Sequence, residues 1–131
     1  MIEELARQEC LHLLQTQAYV GRAAFVVEGR PMVLPVNYLA RDDGIVFCTG
    51  EGTKLAALQH GAPVAFEIDA SRPLYGTGWS VVAQGIAHEV TDEAELELLR
   101  RGPLASWADP FPEHWIRIEI EQISGRRIPD H

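Results

Sequence analysis

The stretch Phe25-Val26-Val27-Glu28-Gly29-Arg30-Pro31-Met32-Val33-Leu34-Pro35-Val36-Asn37-Tyr38-Leu39 decides the fold. Two apolar runs flank a turn through Glu28-Gly29-Arg30-Pro31, so a strand over residues 19–27 folds back on a second over 32–39. Asp42-Asp43-Gly44 then turns the chain into a third strand, residues 45–49. Two successive hairpins make an antiparallel meander. Pro35 interrupts the second strand. Proline has no amide hydrogen for a ladder, so that strand belongs at an edge, at a bulge or at a barrel corner.

Outward from this meander the pattern alternates between short helices and further strands. Ile2, Leu5, Ala6, Cys10, Leu13 and Leu14 recur at helical spacing and predict an amphipathic helix over 2–17. Thr53 is a good N-cap for a short second helix over 55–60, stopped by Gly61. Residues 64–68 and 79–90 predict a fourth and a fifth strand. Asp92, Glu93, Glu95 and Glu97 precede Arg100 and Arg101, the charge order a helix dipole favours, and Gly102-Pro103 ends that third helix. Residues 103–113 hold three prolines and predict a loop. The last strand, 114–123, sends Ile116, Ile118 and Ile120 to one side and Trp115, Arg117 and Glu119 to the other. Six strands in hairpin order, capped by three short helices, predict one mainly β (α+β) domain over residues 1–131. Its antiparallel sheet closes into a small barrel. A βαβ fold would need long helices alternating regularly with the strands, and these do not.

The bulk numbers set limits on partners. A chain of 131 residues is one domain of ordinary size, and 47% hydrophobic residues against 23% charged exclude intrinsic disorder. Nineteen acids and eleven bases leave a net charge of −8, the wrong sign for nucleic acid or an anionic membrane surface. No apolar run approaches a membrane span, and the start, Ile2-Glu3-Glu4-Leu5, lacks a signal-peptide layout. The expected compartment is the cytoplasm, with Cys10 and Cys48 as reduced, small apolar residues.

Most catalytic motifs are missing. Leu55 stands where a dinucleotide fingerprint would place its third glycine after Gly50 and Gly52, and neither a Walker loop nor a Gly-x-Ser-x-Gly elbow occurs. His12, His60, His88, His114 and His131 show no metal-ligand spacing. The exception is the segment from Thr49 to Lys54. A helix start presents unpaired N–H groups and partial positive charge, Thr49 and Thr53 add hydroxyls, and Lys54 is the only lysine in the chain. Two readings fit: a phosphate grip, or an ordinary capped helix with an exposed lysine.

The register from Val33-Leu34-Pro35-Val36-Asn37-Tyr38 through Phe47-Cys48-Thr49 to Gly52-Thr53-Lys54 resembles the pyridoxamine-phosphate oxidase-like proteins. The similarity continues in Gly78-Trp79-Ser80-Val81-Val82-Ala83-Gln84-Gly85 and in Ile123-Ser124-Gly125-Arg126-Arg127-Ile128, and covers most of residues 19–128. It implies a six-stranded antiparallel split β-barrel that binds FMN at a homodimer interface. By the same resemblance, Val33, Leu34, Pro35, Val36, Asn37 and Tyr38 would line the flavin. Cys48 and Thr49 would lie by the ribityl chain and phosphate, Thr53 and Lys54 would hold the phosphate, and Ser80 with Trp79 would meet the ring. Trp79 also reads as a core residue.

The departures from that family bear on the substrate. Val33 and Tyr38 stand where the oxidase carries basic residues, and Leu55 follows Lys54 in place of a second base. Either phosphate affinity is weaker than in the oxidase, or a second copy supplies an arginine, with Arg117, Arg126 and Arg127 as candidates. The oxidase's substrate-binding arginine and histidine have no counterpart after Ile128, so another small organic substrate is expected. The resemblance thus implies an FMN-dependent oxidoreductase that needs no protein acid or base; Tyr38 and His60 are the side chains to weigh for proton transfer. A deazaflavin coenzyme in place of FMN is one alternative, although the acidic balance offers its anionic tail little. A non-catalytic flavin or haem carrier, with His60, His88 or His114 as axial ligand, is another. Trp115, Trp107 and Phe111 mark either the dimer interface or packing beneath the third helix.

Overall fold

In the computed structural model, which describes residues 1–42, 44–107 and 114–129, hairpins dominate the path of the chain. The order is β1 (Glu3–Glu4), α1 (Arg7–Thr16), β2 (Val20–Val27), β3 (Arg30–Asn37), β4 (Leu39–Arg41) and β5 (Gly44–Thr49). Then come α2 (Thr53–Leu58), β6 (His60–Arg72), β7 (Thr77–Glu89), α3 (Glu93–Arg101), α4 (Pro103–Trp107) and β8 (His114–Ile128). A 3₁₀ turn, Pro73–Tyr75, joins β6 to β7. All pairings are antiparallel, in the spatial order β3-β2-β6-β7-β8-β5-β4, and β1 adds to β8. The two ends of that order, β3 and β4, are neighbours in sequence. The sheet therefore curls until its edges meet without pairing, which makes a split β-barrel with helices over its openings.

All six expected strands form, and the differences have local causes. The second strand breaks at Tyr38, whose N–H donates to Tyr19 O at 3.0 Å, so that β3 pairs with β2 while β4 pairs with β5. Pro35 lies on β3, an end of the sheet, as a residue without an amide hydrogen must. The first helix begins at Arg7, not at Ile2, because Glu3 and Glu4 pair as strand residues with Arg127 and Arg126. Opposite charges facing across a ladder favour that exchange. Thr53 is the first helical residue of α2 and does not cap it; Gly52 holds the N-cap position and no side chain caps the helix. That helix stops at Leu58, and Gly61 lies beside a bulge in β6. Residues 103–107, expected as loop, are α4. Pro103 starts it, at the first helical position, where an N–H would have no intrahelical acceptor. Asp43, Phe111 and the side chain of Trp107 lie outside the described residues.

Two apolar clusters hold the fold. Inside the barrel, Ile45, Phe47, Phe66, Ile68, Val81, Ile116 and Ile118 are fully buried. Outside it, Val46, Val90, Leu96, Leu104 and Trp115 form a second cluster beneath α3 and α4. Between the two layers β5 is buried on both faces, which explains its unbroken apolar run. Trp115 is 2% exposed, so of the two readings offered for it, packing under the third helix is the one realised.

Candidate functional site

The split between β3 and β5 leaves one of the concave surfaces of the described residues. There a groove of about 490 Å³ runs between Leu34–Pro35–Val36 on one side and Cys48 to Lys54 on the other. Because β3 is an edge, its backbone on this side is not used by another strand. The opposite wall is a bare turn. A Cβ at Gly50 or Gly52 would meet nothing within 4 Å, and Gly52 takes φ +134°, a conformation that strains any other residue. The first N–H groups of α2 follow at once, without intrahelical acceptors.

Lys54 supplies the charge. Among the described residues no carboxylate pairs with it, whereas several arginines are already engaged. Arg22 lies 2.9 Å from Glu67, Arg117 donates through Nε to Glu95 at 2.8 Å, Arg101 meets Glu97 at 2.8 Å and Arg127 pairs with Glu9. Of the three arginines weighed as phosphate partners, Arg117 and Arg127 are thus committed. Arg126, exposed on β8 between Glu4 and Ser80, makes no ion pair within 4 Å among the described residues. Leu55, in the place of a second base, is buried in the barrel core.

The other predicted residues separate by face. Leu34, Pro35, Val36, Cys48, Thr49, Thr53 and Lys54 come together around the groove. Val33 is 64% exposed, paired with Ala24, and Asn37 is half-buried, paired with Val20. The Tyr38 side chain turns inward: it is 2% exposed, its ring meets Phe66 edge-on at 5.0 Å, and its hydroxyl donates to Leu14 O at 2.6 Å. Burial pushes its phenol up to about 12. A proton-transfer role for Tyr38 is thereby corrected, since the hydroxyl is used and faces the core. Burial likewise pushes the Cys48 thiol up to about 12, which favours the protonated form over the thiolate.

Trp79 and Ser80 do not reach this groove within one chain. Ser80 and Trp79 lie on β7, three strands along the curled sheet from β3, and neither lines the groove. Trp79 is half-buried against the main core, and its open side lines a different groove of about 360 Å³ with Arg72, Arg127 and Pro129.

A profile of the pyridoxamine 5′-phosphate oxidase family matches residues 6–127. The chain belongs to that family. An uncharacterized protein of Mycobacterium tuberculosis is 33% identical over 132 residues, which cover 97% of this chain and 86% of the relative. Among solved structures, an FAD-binding protein of Mycobacterium smegmatis superposes with a TM-score of 0.74 at 30% identity, covering 98% of this chain and 100% of that one. An FAD-binding protein of Mesorhizobium loti gives 0.79 at 26% identity, covering 98% and 99%.

Two polar clusters of this family member escape a reading of the sequence. Arg22 bridges Glu67 at 2.9 Å and Asp69 at 3.7 Å on the outer sheet face, next to Pro35 in the β2–β3 register. His114 lies 2.6 Å from Glu89 and 3.6 Å from Glu51, at the end of the groove. Alternation alone marks these residues as outward or solvent-facing, but only long-range pairing shows which of them meet. Among the described residues no set of three or more His, Cys, Asp or Glu side chains is arranged to hold a metal ion, and no helix is long and apolar enough to cross a membrane.

Proposed function

We propose that this protein is a flavin-nucleotide-dependent oxidoreductase that acts in the cytoplasm, as a homodimer, on a small organic substrate. The observation that carries the reading is Lys54, without a carboxylate partner among the described residues, in the wall of the groove that faces Pro35. In a chain of net charge −8 such a lysine serves an anion better than it serves the fold. Thr53, Lys54 and the amides of the turn would hold the phosphate, with Cys48 and Thr49 beside the ribityl chain. Val33 to Asn37, together with the backbone of Tyr38, would lie along the ring. Bound there, the flavin supplies the electron-transfer chemistry, while the chain contributes grip, orientation and a wall against water.

The FMN portion is common to both flavin nucleotides, and the FAD-binding relatives at 30% and 26% identity keep FAD beside FMN as the ligand. The absence of Ser80 and Trp79 from the groove lining supports the homodimer, because a ring lying along β3 would then meet them through a second copy. The test is the visible spectrum of the purified protein, followed by titration with FMN, FAD and a deazaflavin coenzyme side by side. Yellow protein, or tight uptake of FMN or FAD, is expected. Colourless protein that takes up neither overturns the reading.

A further inference from the structure

The β5–β8 register pairs Thr49 with His114, which sets the imidazole beside the turn that walls the groove. His114 Nδ1 lies 2.6 Å from Glu89 Oε2, and since a carboxylate there accepts, Nδ1 carries a proton. Glu89 is itself fixed. Gln59 Nε2 donates to its other oxygen at 3.0 Å, and the Glu89 N–H donates to Gln59 O at 3.0 Å. The second ring nitrogen, Nε2, faces Glu51 Oε1 at 3.6 Å. Glu51 belongs to the groove wall, in the turn that leads into α2 and Lys54. A carboxylate there opposes any anionic ligand and competes for the lysine, unless something holds and neutralises it.

We propose that His114 is a positioning residue: anchored on Glu89, it holds the Glu51 carboxylate at the lip of the groove and away from Lys54, and so sets how strongly the groove takes a phosphorylated ligand. The inference rests on the flavin reading above for the identity of that ligand. The groups facing the imidazole among the described residues are Glu89 from β7, Glu51 from the β5–α2 turn and, across Glu89, Gln59 at the end of α2 and His60 at the start of β6. The hydrogen bond with Glu89, then its charge and that of Glu51, raise the His114 pKa above the ordinary histidine value against the opposing effect of burial. The sign follows. The imidazolium and its hold on Glu51 are present at low pH and lost as pH rises through that raised value. Released from the imidazolium, the Glu51 side chain in the groove wall is free to turn toward Lys54, so phosphate affinity falls as the clamp opens.

The experiment follows the His114 imidazole by NMR, and FMN and riboflavin binding by fluorescence, between about pH 6 and 9. It compares the wild type with His114→Gln and Glu51→Gln. The phosphate's own ionisation is common to all three proteins and cancels in the comparison. His114 should titrate above free histidine in the wild type and lower in Glu51→Gln. FMN affinity should fall about two- to fivefold more over that range in the wild type than in Glu51→Gln, with riboflavin affinity alike in all three. An unchanged His114 titration in Glu51→Gln, or the same FMN profile in all three proteins, overturns the clamp. Absence of FMN binding at every pH overturns the flavin reading instead, and the imidazole titration still decides whether His114 holds Glu51.

Discussion

The Tyr38 hydroxyl donates to the Leu14 carbonyl at 2.6 Å, tying the break between β3 and β4 to the last turn of α1. That carbonyl has no intrahelical donor, and the tyrosine ring packs on Phe66 at the barrel opening. Tyr38→Phe should therefore lower stability by about 1–3 kcal/mol, seen as a lower denaturant midpoint at unchanged slope. Flavin affinity should not change. A loss of flavin binding at unchanged stability would return Tyr38 to the cofactor.

Lys54 gives the complementary result. Lys54→Ala should leave stability within about 0.5 kcal/mol, because no partner among the described residues is orphaned. If its ammonium meets the phosphate, FMN affinity falls about ten- to a hundredfold while riboflavin affinity holds, the range expected of a hydrogen bond to a charged group. Equal losses for the two ligands would remove Lys54 from the phosphate.

What the sequence displays, and what it hides, divides along the range of the interactions involved. The hairpin at Glu28-Gly29, the acid-to-base order of α3 and the Ile116-Ile118-Ile120 alternation are local signals, and each element forms. The break at Tyr38 and the start of α1 at Arg7 depend on partners far along the chain, Leu14 and Arg126-Arg127, and local periodicity carries no trace of them. The groove residues from Leu34 to Lys54 were legible through family resemblance, whereas Glu51, His114 and Glu89 meet only once β5 and β8 pair. Trp115 shows the same limit, since alternation gives its face but not the helices that cover it.

Glu67 should make stability fall with pH in a range where most proteins are steady. Burial, and then the neighbouring Asp69 carboxylate, push its carboxyl up to about 7, and Arg22 offsets this only in part. A folded pKa above the unfolded value of about 4.3 means that the native state binds more protons over that interval. The stabilising contribution is complete below about pH 4.3 and is lost as pH rises through about 7. Thermal melts across this window should show the wild type losing stability relative to Glu67→Gln as pH rises. The opposite slope would mean that Arg22 controls the carboxylate.

Gly85 is a position where backbone leaves no room for a side chain. It sits at the register shift between Gln84 and Gly85, where β7 presses on β8, and a Cβ there would lie 1.9 Å from Glu119 O and 2.8 Å from Glu119 C. These are backbone atoms of a strand held between β7 and β5, so neither side can retreat. Gly85→Ala should cost about 3 kcal/mol or more, enough to drive much of the protein into the insoluble fraction. Gly50→Ala, where a Cβ meets nothing within 4 Å, is the matched control and should stay within about 0.5 kcal/mol of the wild type. Urea unfolding of both variants separates the two cases. A Gly85→Ala protein as stable as the control would mean that β7 and β8 do not approach as closely as this packing requires.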